Sequence, residues 1–177
     1  MQLTHSEIPL EFLSSLPEGM KFIHRHGKGY MVVEEVLCPN GHSLIADSVR
    51  IHDEPSIKLH LTVARESGII FIDAFWGSHA KLYNFVPKVT TDDALASATC
   101  PVCDVSLNAP YDCHEPGCGS HEGIKLHLPG GQGTIGVCAR HGCPGHRLEV
   151  HGAPARLIET VSAINFFGEG GDDFAAF

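Results

Sequence analysis

The chain has 177 residues and a formal charge of −9, with 12 Lys and Arg against 21 Asp and Glu. That length supports one compact domain, or one body with a smaller metal-organised lobe. The scattered cations argue against a nucleic-acid surface, which needs a basic stripe, and favour a protein or small-molecule partner. No apolar run approaches the length of a membrane span, and the opening Met1-Gln2-Leu3-Thr4-His5 carries no leader pattern. A cytoplasmic setting is therefore expected, where clustered thiols point to metal ligation or redox chemistry rather than to disulfides.

In chain order, residues 6–16 predict a short helix with Ser6 as N-cap and Ile8, Phe12 and Leu16 on one face, ended by Pro17-Glu18-Gly19. Strands over 21–26 and 30–37 flank the hairpin signal Gly27-Lys28-Gly29, and the second delivers Cys38 at its end. The clearest β pattern follows. Ile57, Leu59, Leu61 and Val63 alternate with Lys58, His60, Thr62 and Ala64; a turn is expected at 65–68, a return strand at 69–75 and a third at 80–85. With Ala64 opposite Ile69, His60 would face Asp73, Leu61 would stack on Ile72 and Val63 on Ile70. A helical turn is expected over 92–98, brief strands over 124–128 and 134–137, a closing helix or strand over 154–167, and an acidic tail around 170–173.

The chemistry lies in the cysteines. Six of the seven fall between Cys100 and Cys143, and the seventh opens Cys38-Pro39-Asn40-Gly41-His42. Seven thiols and His42 make eight ligands, the number two closed tetrahedral sites require, so about two Zn²⁺ per chain are expected. The expected first site joins Cys38, His42, Cys100 and Cys103. The second joins Cys113, Cys118, Cys138 and Cys143, with His146 or His141 as a substitute, because Cys143-Pro144-Gly145-His146 echoes the Cys38 loop with one residue deleted. A cross-braced alternative, Cys38/His42 with Cys113/Cys118 and Cys100/Cys103 with Cys138/Cys143, stays open at this stage. Seven thiolates and two Zn²⁺ would lower the formal charge to about −12.

On Cys100-Pro101-Val102-Cys103 and the Cys38-Pro39 loop, the chain resembles the zinc-ribbon and zinc-knuckle group, in which paired knuckles on hairpins share a metal. The resemblance covers these motifs alone and implies a structural metal. It departs from the group in the long insertion between its first two half-sites and in the wider gaps at Cys113/Cys118 and Cys138/Cys143.

Other readings are weaker. A Cys-x-x-Cys redox centre would expect a helix directly after Cys100, and the residues that follow lack helical periodicity. His24-x-His26, or His60 with Asp73, could serve a metalloenzyme acting on a small molecule, whereas Gly130-Gly131-Gln132-Gly133 lacks the Lys of a phosphate loop. The expected fold is α+β: mainly antiparallel β sheet with a zinc-stabilised, ribbon-like lobe and few short helices. The boundaries are 1–99 for the β body with the first knuckle, 100–152 for the Cys/His-rich lobe, and 153–177 for the closing element and tail, or one compact domain overall. The expected role is a protein-interaction scaffold, with the metalloenzyme as the alternative.

Overall fold

A computed structural model describes residues 8–87 and 94–164. The chain folds mostly into antiparallel β sheet with few helices. The short helix α1 (Leu10–Leu13) precedes the hairpin of β1 (Met20–Arg25) and β2 (Lys28–Val33). A five-stranded sheet contains β3 (Ile45–Ile51), β4 (Glu54–Val63), β5 (Glu66–Ile72), β6 (Lys81–Tyr83) and β7 (Ala96–Thr99). A four-stranded sheet contains β8 (Asn108–Pro110), β9 (Glu122–His127), β10 (Gly133–Cys138) and β11 (His146–Val150), and α2 (Ala155–Ser162) packs on β11.

β4 organises the first sheet. Its alternation buries Ile57, Leu59, Leu61 and Val63 and leaves Lys58, His60 and Thr62 half-buried. Each fully buried side chain of this size stabilises by about 1.5–3 kcal/mol before entropy is counted. One edge of β4 bonds to β5 from Ile57 to Val63; the other is shared, β3 taking Glu54 to Ile57 and β7 taking His60 to Val63. Thus β7, which carries the chain into Cys100, is fixed to the central strand of the body.

Backbone bonds tie the three sheets together. Val33 N donates to Ala74 O at 2.8 Å and Trp76 N to Met31 O at 2.8 Å, joining β2 to the stretch after β5. Leu37 N donates to His127 O at 2.7 Å and His127 N returns to Leu37 O at 2.9 Å, joining the first knuckle to β9. Ala96 N to Ala139 O and His141 N to Ala94 O join β7 to the end of β10. The apolar faces enclose one contiguous core in which Leu107, Ile124, Leu126, Leu128, Ile135 and Leu148 pack with Leu59, Leu61 and Val63. α2 closes one side with Leu157, Ile158 and Val161, and the Trp76 indole N–H donates to Val161 O at 2.7 Å.

Several expectations need correction. The first helix is shorter than 6–16, and Ser6 lies outside the described residues. The second strand stops at Val33. Ala96–Thr99 is strand where a helical turn was expected; Asp92 and Asp93 lie outside the described residues, as does the acidic tail. The β4–β5 register is displaced by four residues: Val63 pairs with Glu66, Leu61 with Gly68 and Leu59 with Ile70. His60 therefore faces Ile69, and Asp73 instead takes the Nδ1 of His52 at 2.6 Å. The displacement is even, so it changes every partner and leaves every face unchanged.

The cause is a two-residue turn at Ala64-Arg65, with Ala64 at φ +55°. A left-handed conformation costs an L-residue about 1–2 kcal/mol, while a glycine loses about 0.4–1 kcal/mol through unfolded-chain freedom. Ala64→Gly is therefore expected to stabilise the fold, raising Tm by about 2–4 °C for a gain near 1 kcal/mol. Calorimetry checks it: a turn at 65–68 would leave Ala64 inside a strand, where glycine lowers Tm.

Candidate metal centres

Each half-site is a turn held by its own backbone. In the first, Cys38 N donates to His42 O at 3.0 Å, and Gly41 N donates to Cys38 O at 2.9 Å. Gly41 sits at φ +87°, which lets the chain reverse within the motif and return His42 to the thiol. In the second, Asp104 N donates to Cys100 O at 2.9 Å and Cys100 N to Val105 O at 3.0 Å, with Asp104 left-handed at φ +61°. The third and fourth repeat the device: Cys118 N to Glu115 O and Cys113 N to Ser120 O, then Cys143 N to Arg140 O and Cys138 N to Gly145 O.

The fold brings these turns together in two groups of four, Cys38 with His42, Cys100 and Cys103, and Cys113 with Cys118, Cys138 and Cys143. Within each group the donor atoms all lie within 4.8 Å of one another. The cross-braced arrangement is not adopted. Among the described residues no third group of His, Cys, Asp or Glu gathers in this way. His146 and His141 belong to neither group; both ring nitrogens of His146 face backbone carbonyls, Pro144 O at 2.9 Å and Ile164 O at 2.8 Å.

The separations discriminate between chemistries. Cys38 and Cys103 sulfurs lie 3.8 Å apart, Cys113 and Cys143 3.6 Å, and Cys118 and Cys138 3.6 Å. A disulfide requires about 2.05 Å, and all seven cysteines are free. A tetrahedron with metal–sulfur bonds of about 2.3 Å has sulfur–sulfur edges near 3.8 Å, and a mixed nitrogen–sulfur edge near 3.6 Å. The Cys38 Sγ to His42 Nδ1 distance is 3.5 Å. Both groups could hold a metal ion.

The surrounding groups prepare some thiols for ionisation and oppose others. At Cys103 the Val105 amide, then the Asn40 side-chain amide donating at 3.4 Å, pull the thiol down to about 6. At Cys118 burial pushes upward, but the Ser120 amide with Cys143 and Arg140 outweighs it, and the thiol also falls to about 6. Burial similarly opposes the amides of His42 and Asn40 at Cys38, whose net shift is downward. Burial raises Cys100, raises Cys113 strongly and raises Cys143 to about 11. Four thiolates at such spacing need a central dication to offset their repulsion.

Sequence reasoning missed three supporting residues. Asn40 stands in the sequence only as a member of the Cys38–His42 motif, yet its amide binds the Cys103 sulfur. Arg140 holds Gly117 O and Cys118 O, each at 3.1 Å, fixing the Cys113–Cys118 loop from the neighbouring turn. Gly145 has no Cβ because a Cβ there would lie 2.7 Å from Cys113 Sγ. No signal in a single sequence marks the last two.

Comparison with protein-family models, curated proteins and solved structures finds no match to this chain.

The Gly145 contact separates the two groups experimentally. Gly145→Ala is expected to displace the Cys113 sulfur and lower metal retention at the second group by tenfold or more, while leaving the first group unchanged. Chelator competition resolved by site, with Cys38→Ser as the complementary variant, measures this. Equal loss from both groups under Gly145→Ala would contradict independent sites.

Proposed function

We propose that this is a zinc-stapled scaffold whose surface engages another protein, in a cytoplasmic setting, with both metal ions structural. The observation that carries the reading is closure: each group supplies four donors at tetrahedral spacing and leaves no open position for water or substrate. Thiolate-rich tetrahedral sites suit Zn²⁺ among the common divalent ions, and knuckle turns paired across hairpins are the zinc-ribbon device. The metalloenzyme alternative receives no comparable support. His60 lies near Ser67 Oγ at 3.3 Å and Thr99 Oγ1 at 3.4 Å, within the sheet and away from His52 and Asp73. An apolar residue at the tip of the Cys100–Cys103 turn, Val102, is 67% exposed and gives a partner something to bury.

Elemental analysis should find about two zinc ions per chain; no metal, or another metal throughout, would sink the reading. Cys103→Ser should lose zinc to a chelator far more readily than His60→Ala, which should cost only about 0.2–1 kcal/mol of stability as a cross-strand change. Val102→Asp should abolish partner cross-linking in extract while both zinc ions remain; an unchanged cross-linking pattern would remove this tip from the interface.

We also propose one cooperative body in preference to a detachable 100–152 lobe, because β9, β10 and β11 supply apolar residues to the common core. On chelation, hydrogen exchange should then rise first in the loops 111–121 and 139–145, with β4 and β10 protected together. Loss of β10 protection while β4 stays closed would restore the two-part reading.

Metal affinity should climb with pH. Cys100, Cys113 and Cys143 hold their protons at neutral pH in the metal-free chain and must release them on binding. The metal-free state therefore binds more protons, so affinity rises with pH until these thiols ionise unaided. Calorimetry in buffers of different ionisation enthalpy should give at least three protons released per pair of ions.

A further inference from the structure

Apart from the thiolate groups, the molecule contains a cavity of about 110 Å³ between β4–β5 of one sheet and β9–β10 of the other. Leu61 and Ile70 line it from the first sheet, Ile124 and Ile135 from the second, and Trp76 closes one side. Register puts Ile72 on the same face as Ile70, and Val137 on the same face as Ile135. Yet Ile72 and Val137 stay half-buried where Ile70 and Ile135 are buried, and both line the cavity. Two apolar side chains left open toward one space mark the end at which the sheets do not meet. Protein interiors hold few voids larger than a water molecule, so an apolar space of this size is suited to an occupant.

The mouth lies between the β5–β6 connection and the turn from β10 to β11, with Ser78 and Lys81 on one side and Cys143 and Pro144 on the other. Its charges are answered within the protein. Lys81 is exposed and stands in the field of Cys143 of the second candidate metal group. Asp73 accepts from Ser78 Oγ and the Phe75 amide and pairs with His52. Arg140 donates to the Gly117 and Cys118 carbonyls. A mouth whose cations and carboxylate already have counterparts selects no ion of either sign, and the apolar chamber behind it favours an uncharged occupant.

We infer that this chamber is a binding site for a small uncharged aromatic molecule, a single ring seated between the two sheets. A dry apolar cavity of about 150 Å³ admits benzene. This one is smaller but open at its mouth, so a ring of about six carbons fits with any substituent pointing outward. Phe75 and Trp76, both buried and both on the wall, offer the edge-on and offset contacts that aromatic pairs prefer. The site goes beyond the scaffold reading and does not rest on it. The turn forming one side of the mouth is bounded by Cys138 and Cys143, so a metal held by the second group would keep the opening in shape.

Trp76 is the only tryptophan and lies on the wall, which makes its fluorescence a direct reporter. Metal-replete protein is titrated with toluene, and with benzoate and benzylammonium as charged controls. A saturable fluorescence change is expected with toluene, and each charged probe should bind at least tenfold more weakly. Methyl NMR on the native chain locates the site without any substitution: toluene should shift Leu61, Ile70, Ile124 and Ile135 and leave the exposed Leu10 and Val102 unmoved. Ile135→Phe fills the space and should weaken toluene at least tenfold with its metal content unchanged. No saturation, a charged probe binding as tightly as toluene, or shifts at Leu10 and Val102 in place of the cavity methyls would each overturn the proposal. So would unchanged toluene binding in folded Ile135→Phe; if that variant loses its fold, the methyl shifts decide alone. Metal stoichiometry measured on each sample keeps failure here separate from failure of the scaffold reading.

Discussion

Closure of a long loop at Cys38 is the constraint on which the rest of the structure depends. Cys38 and Cys103 are separated by 65 positions in the chain, and their sulfurs lie 3.8 Å apart. A covalent link closing such a loop removes about 4 kcal/mol of unfolded-state entropy, and a metal shared by Cys38 and Cys103 would act on the same term by a non-covalent route. The whole five-stranded sheet lies inside this loop. Its contents are well suited to the restraint: β4 buries four branched aliphatic residues, and its shared edge carries β7 straight into Cys100. Next to Cys38, Leu37 pairs with Ser43 on one side and His127 on the other, so the same turn that presents the first ligand also docks the second sheet.

The second group works over shorter spans, 20 positions between Cys118 and Cys138 and 30 between Cys113 and Cys143. Its loops contain little to bury. What order they have beyond the cysteines comes from specific contacts: the Arg140 guanidinium on the Gly117 and Cys118 carbonyls, and the Tyr111 ring seated where any Cβ on Gly123 or Gly136 would have to stand. The strands behind them belong to the common core, so a metal held by the second group would steady the rim while hydrophobic contacts hold the floor. One element thus has two sources of stability, which composition averaged over 100–152 conceals.

Local features were legible in the sequence and long-range ones were not. The alternation in Ile57 to Val63 gave the faces of β4 because side-chain direction depends only on strand parity. Register depends on the turn, and Ala64 carries no sign that it will adopt a positive φ, so His60 was matched with Asp73 and His52 was overlooked. β3 escaped notice because Ile45-Ala46-Asp47-Ser48-Val49-Arg50-Ile51 breaks its alternation where the ladder shifts between Ala46 and Arg50. β8 and β11 are short and polar, and only their neighbours make them strands. Ligand residue types were plain from spacing; which half-site meets which is a property of the assembled sheets.

Charge accounts for the difference between the two groups. Three thiolates, a neutral imidazole and a dication carry one net negative charge, whereas four thiolates and a dication carry two. The first group receives side-chain amide support from the neutral Asn40, and a neutral His42 ligand would keep its charge low. The second, more anionic group has cations nearby: Arg140 braces its loop, and Lys81 feels the Cys143 thiol across the cavity rim. Were both groups to hold a dication, the extra thiolate of the second would thus stand beside Arg140 and Lys81, while the imidazole of His42 would spare the first group that charge.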